Sequence, residues 1–115
     1  MRRSLILAAA ALLASPAAAD PIWDMCMKPG DYGPELCDCV VSGLHTQLGP
    51  ADRDLYSAVA AGYLDGLAKG LNRADAWDAA VQAEAARRGT TYPALLGTTN
   101  AIGKTHRDVA RGCGG

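Results

Sequence analysis

Four cysteines constrain this chain more than any other feature. They are Cys26, Cys37, Cys39 and Cys113, and two of them stand one residue apart in the stretch Glu35-Leu36-Cys37-Asp38-Cys39-Val40-Val41. An even number of cysteines in a small exported chain is the pattern of a disulfide frame. Export is what the first residues specify. Met1-Arg2-Arg3 is basic, Leu5 to Ala14 is apolar, and Ser15-Pro16-Ala17-Ala18-Ala19 ends in an A-x-A cleavage pattern; together these are the three parts of a signal peptide. The expected organisation is a signal peptide over 1–19 and a single mature domain over 20–115, periplasmic or secreted after cleavage near Ala19. The apolar run is about half of the roughly 20 residues that a spanning helix needs. No later segment is free of charge for that length, so no membrane span is expected in the mature chain.

Residues 20–115 can support one small core with a modest margin of stability. They carry nine Lys and Arg against twelve Asp and Glu, a formal charge of −3. Nucleic acid binding calls for the opposite sign and a basic cluster. The nearest approach to one, Arg87-Arg88, reads as a solvated helix end.

The fold class expected is all-α, a small four-helix domain, bundle-like or orthogonal, framed by two disulfides. Phe is absent and the β-branched residues never alternate, which disfavours strands. Pro21 to Met27 is a short segment before the turn-rich Lys28 to Gly33. The first expected helix runs from Pro34 to about Leu48, with Leu36, Cys37, Val40, Val41, Leu44 and Leu48 in one apolar sector. The second spans Ala51 to Lys69, with Leu55, Tyr56, Val59, Ala60, Tyr63 and Leu67 on its apolar face. The third begins after Asn72 and ends near Arg88, with Ala74, Trp77, Val81 and Ala85 inward. The fourth starts near Pro93 and carries the stripe Leu95, Thr99, Ile102, His106, Val109 and Cys113.

On this layout a Cys37–Cys39 bond is excluded, because helical geometry cannot close so tight a ring. Cys37 lies at the centre of its helix's apolar sector, Cys39 is turned 200° away at 100° per residue, and Cys113 sits on the last apolar stripe. Core-facing sulfurs should meet, which pairs Cys37 with Cys113 and leaves Cys26 for Cys39. The competing reading is a soft-metal, copper-type site using Met25, Cys26, Met27, Cys37 and Cys39. Its weakness is that residues two apart on a helix point in nearly opposite directions. No C-x-x-C motif or strand-helix alternation supports thiol-disulfide exchange.

No catalytic constellation, haem attachment or phosphate loop is present, so neither an enzyme nor a cofactor is expected. The unusual feature is a row of small residues, Ala58, Gly62, Gly66 and Gly70, at every fourth position of the second helix. Each interior glycine weakens a helix by about 1 kcal/mol relative to alanine, so something should offset it. The first explanation is close packing against another helix of the same monomer. The second is a contact face, Gly62 and Gly66 with Tyr56 and Tyr63 beside them, of the amphipathic kind interfaces favour. The functional expectation is a non-catalytic protein that binds another macromolecule, an unidentified protein partner, as accessory subunit, inhibitor or chaperone-like factor.

Overall fold

Proline and glycine punctuation decides where the helices begin and end. The computed structural model describes residues 20–115; the expected signal peptide lies outside the described residues. These form five helices, α1 (Pro21–Met27), α2 (Pro34–Gln47), α3 (Pro50–Ala68), α4 (Arg73–Arg88) and α5 (Tyr92–Gly112), and no strand. Proline occupies the first turn of α1, α2, α3 and α5, where its missing N–H has no helical partner to lose. The side chains of Asp20, Asn72 and Thr91 accept from backbone N–H groups at the starts of α1, α4 and α5. At the end of α3, Gly70 adopts φ 92° and the Leu71 N–H returns to the Gly66 carbonyl at 3.0 Å. At the end of α4, Gly89 adopts φ 66° and the Thr90 N–H returns to Ala85 at 3.0 Å. Both are left-handed terminations that satisfy carbonyls the helix leaves open.

The sequence leads one to expect four helices, and the structure has five. The addition is α1, whose seven residues are too few to show a 3.6-residue period. Ile22 and Cys26 on one side of it are buried, and the helix packs against both α2 and α3. One apolar cluster draws on all five helices, with Ile22, Val40, Leu44, Val59 and Val81 wholly buried in it. Each such side chain contributes about 1.5–3 kcal/mol of transfer free energy.

Within this core α3 and α4 form a hairpin. A methyl placed on Gly62 would stand 3.0 Å from the Ala80 Cβ, and one on Gly66 would stand 3.0 Å from the Ala76 Cβ and 3.1 Å from its Cα. The correspondence runs up one helix and down the other, so the pair is antiparallel. Gly62 and Gly66 of the small-residue row are therefore packed against α4 within the monomer, with helix stability given up for close approach, whereas Gly70 meets no neighbour and ends α3. This also rotates α4 from its expected face: Ala76, Ala80 and Glu84 are buried with Val81 and Ala85, while Ala74 is exposed and Trp77 half-buried. An alanine-rich helix marks its faces weakly, and the partner's glycines choose which alanines turn inward. Glu84, 4% exposed, is neutralised by Arg87 and Arg88, which fold back onto it instead of standing free at the helix end.

The disulfides are Cys26–Cys37 and Cys39–Cys113, the reverse of the pairing expected from helix faces. The faces themselves are as the periodicity indicates, with Cys37 buried and Cys39 exposed. What differs is the neighbour that each face meets. The apolar sector of α2 is covered by α1, so Cys37 finds Cys26. The last turns of α5 lie instead along an edge of α2, where a methyl on Gly43 would come 2.5 Å from Val109 Cγ1. Cys39 and Cys113 lie one turn from Gly43 and Val109 respectively, and in the opposite sense along the two helices. The second bond thus closes the end of an antiparallel α2–α5 seam.

Candidate functional site

The apolar stripe of α5 is buried in the core through Leu95, Thr99, Ile102 and Val109, two further attachments hold its ends, and a neighbouring strip of its surface borders open space. Near its start the Tyr92 hydroxyl donates to Asp78 Oδ1 of α4 at 2.9 Å, and just past its end Cys113 is bonded to Cys39 of α2. Between them the stretch from Leu96 to Ala110, about 21 Å of helix, forms one wall of a groove of about 800 Å³. The other walls come from α3 and α4, and Met25 and Tyr32 add to the lining. The size falls within the range of ligand-binding clefts.

The wall opposite α5 is aromatic. Trp77 meets Tyr56 edge-to-face at a centroid distance of 6.2 Å and Tyr63 at 5.9 Å, and Tyr56 meets the His106 ring at 5.7 Å. Such pairs add about 0.5–1.5 kcal/mol to the burial of the rings, so this wall is held in one arrangement. Tyr56 and His106 are also joined by a hydrogen bond of 2.6 Å between the phenol oxygen and Nδ1. Burial pushes the Tyr56 hydroxyl well above its usual pKa, against a smaller opposing influence of Arg107. Burial and then the Arg107 charge hold His106 below its usual value. Both groups are neutral at pH 7 by this environment.

Arg107 bears on both groups, which places its guanidinium at the groove, and its Nη1 lies 3.7 Å from where a Cβ on Gly103 would stand. Gly103 lines the groove beside that guanidinium, and a methyl there would make only an ordinary contact with it. Across from it Arg73 lines the α4 side. The groove carboxylate, Asp78, is engaged by Tyr92.

The residues singled out from sequence separate into two groups. Tyr56 and Tyr63 line the groove, whereas Gly62 and Gly66 pack against α4 and take no part in its lining. Of the soft-ligand set, Cys26, Cys37, Cys39 and their partner Cys113 are all consumed in disulfides, so no thiolate remains. Met25 lines the groove and Met27 packs against the core. Among the described residues no group of three or more His, Cys, Asp or Glu side chains is placed to hold a metal ion.

His45 lies apart from the groove. Its Nδ1 accepts from Arg53 Nη1 at 3.1 Å, since a guanidinium can only donate, and its Nε2 is 4.0 Å from Asp20 Oδ2. Sequence reasoning missed Arg73, Arg107 and Asn100, and it took Trp77 for core. A spacing signal was available: Leu96, Asn100, Gly103 and Arg107 recur at four, three and four residues beside the apolar stripe of α5.

Among the described residues no helix is long and apolar enough to cross a membrane. Comparisons with known protein families, with curated proteins and with solved structures found no match to this chain.

Proposed function

We propose that this chain is a small exported protein, periplasmic or secreted after cleavage near Ala19, that acts by non-catalytic binding of a partner protein in the groove between α3, α4 and α5. The observation that carries this reading is the aromatic wall of the groove, where half-buried Trp77 is braced edge-to-face against half-buried Tyr63 and against Tyr56, which is itself buried in the core beneath them. Tyrosine and tryptophan supply large contact area with few rotatable bonds, and binding energy concentrates at such residues. The two disulfides suit an oxidising compartment. The part the protein plays for its partner is that of an accessory subunit, an inhibitor or a chaperone-like factor.

Site-specific photo-crosslinking in the expressing cell tests this reading. A benzophenone side chain at Asn100, exposed on the groove wall, should give an adduct of discrete mass with a second protein. The same group at Ala83, exposed on α4 outside the groove, should give none. Equal adducts at both positions, or none at Asn100, would overturn the assignment. The intact mass of the protein recovered from the cell envelope should correspond to a chain beginning at Asp20; recovery of the full-length chain would refute export with cleavage.

A further inference from the structure

The cations of α4 and α5 divide by position. Arg87 and Arg88 are neutralised by Glu84, and Lys104 and Arg111 by Asp108, each within its own helix. Arg73 and Arg107, the two that line the groove, have no carboxylate partner among the described residues. Of the carboxylates nearest in sequence, Asp75 accepts from the Asn72 side chain and Asp108 pairs with Lys104 and Arg111, while Asp78, which also lines the groove, accepts from the neutral Tyr92 hydroxyl and keeps its negative charge. His106 adds no charge, because burial holds it neutral. A mature chain of net −3 therefore presents, in this one concavity, a local excess of positive charge: guanidiniums of Arg73 on the α4 wall and Arg107 on the α5 wall, neither ion-paired, against the single carboxylate of Asp78, with the aromatic side chains of Trp77 and Tyr63 in the same lining. Guanidinium is the side-chain group best suited to carboxylate recognition, with planar donors that match its two oxygens.

We propose that the segment received by the groove is acidic and apolar: a branched aliphatic residue seated on the Trp77–Tyr63 wall, flanked by carboxylates that reach Arg73 on one side and Arg107 on the other. This rests on the groove being a peptide-binding site. It goes further in specifying the partner's chemistry, and charge complementarity selects that chemistry over a neutral or basic segment.

The test uses the exported chain with both disulfides formed and Trp23→Phe, which leaves Trp77 as its single tryptophan and its fluorescence as the readout. Three acetylated and amidated hexapeptides are titrated, with the sequences Gly-Glu-Leu-Leu-Glu-Gly, Gly-Gln-Leu-Leu-Gln-Gly and Gly-Lys-Leu-Leu-Lys-Gly. The acidic peptide should bind most tightly, the glutamine peptide about tenfold or more weakly, and the lysine peptide not measurably. Affinity for the acidic peptide should fall as salt is raised. Arg107→Gln and Arg73→Gln, at exposed positions outside every ion pair, should each bring the acidic peptide close to the glutamine peptide while leaving the latter unchanged. If acidic and glutamine peptides bind alike, or if neither arginine variant discriminates between them, the charge inference fails while the peptide groove stands. Were none of the three to change Trp77 fluorescence or bind by calorimetry, the groove reading itself would fall, and this inference with it.

Discussion

Two helix pairs in this molecule approach closely through glycine, and they are secured in opposite ways. In the α3–α4 hairpin, Gly62 and Gly66 admit Ala80 and Ala76, and the connection is a short turn capped by Gly70 and Asn72. In the α2–α5 seam, Gly43 admits Val109, and the bond Cys39–Cys113 joins positions 74 residues apart. Bringing sequence neighbours together restricts few degrees of freedom, whereas closing a long loop is entropically dearer, although only logarithmically so in loop length. The local pair is held by packing and caps alone. The distant pair has a covalent link at its end, where the chain would otherwise fray.

The sharpest way to break this contrast is to remove the distant bond. Replacing Cys39 and Cys113 together by alanine should destabilise the domain by about 4–5 kcal/mol on the chain-entropy model, against about 3 kcal/mol for Cys26 and Cys37 together, whose separation is 11 residues. Urea unfolding of the two double variants gives the ranking. A larger loss from the local bond would show that α1, not the α2–α5 seam, is what the frame principally holds.

Next in size is Gly66→Leu. The substitution favours the isolated helix but must displace the Ala76 backbone, so it should lower stability by about 1–3 kcal/mol. An unchanged melting curve would mean that the two helices separate more readily than their spacing implies. Gly43→Ala is a milder form of the same experiment at the other seam. Val109 Cγ1 is the obstruction there, and a β-branched side chain has little rotamer freedom in a helix. A net loss of about 1 kcal/mol is expected after the gain in helix propensity, read from chemical denaturation. That loss should grow in the Cys39/Cys113 double variant if bond and contact support each other; strict additivity would show them independent.

The smallest effect concerns the contact between α3 and α5 that links the two seams. His106 is half-buried with a lowered pKa, so below about pH 6.5 the unfolded chain binds the proton more readily and stability falls as pH drops. Tyr56 is shifted upward, so above about pH 10 the unfolded chain releases a proton that the folded chain retains, and stability falls as pH rises. Stability should therefore level off between these limits. His106→Gln should flatten the acid side of the profile in urea midpoints taken at pH 7 and 5.5. Parallel losses in variant and wild type would assign the acid sensitivity to other groups.

These contrasts also explain what was legible in the sequence. The four longer helices, and the faces of α2, α3 and α5, follow from period and punctuation, because those signals are local. So does the close packing implied by the glycine row, since an interior glycine asks for a neighbour. Which neighbour it meets is a tertiary fact. The apolar sector of α2 shows that Cys37 is inward and Cys39 outward, but not that α1 covers one while α5 reaches the other. Gly43, four residues after Cys39, carried that information: a second close approach on the outer edge of α2. The groove was half visible, through Tyr56 and Tyr63. Arg73 and Arg107 were not, because a solvated arginine and one reserved for a ligand look alike until the positions of the carboxylates are known.

The placement of Cys37 and Cys39 two residues apart has a consequence for how the molecule matures. A chain delivered N-terminus first presents Cys26, Cys37 and Cys39 together, while Cys113 follows 74 residues later. At the pace of synthesis that delay is on the order of 4 to 15 s. During it Cys39 has no native partner, and a bond from Cys26 to Cys39 would close a ring only two residues longer than the native one. Ring size barely discriminates between them, so the choice falls to the docking of α1 on the buried side of α2, or to later exchange of whichever bond forms first. The order in which bonds appear is thus a record of which helices meet first.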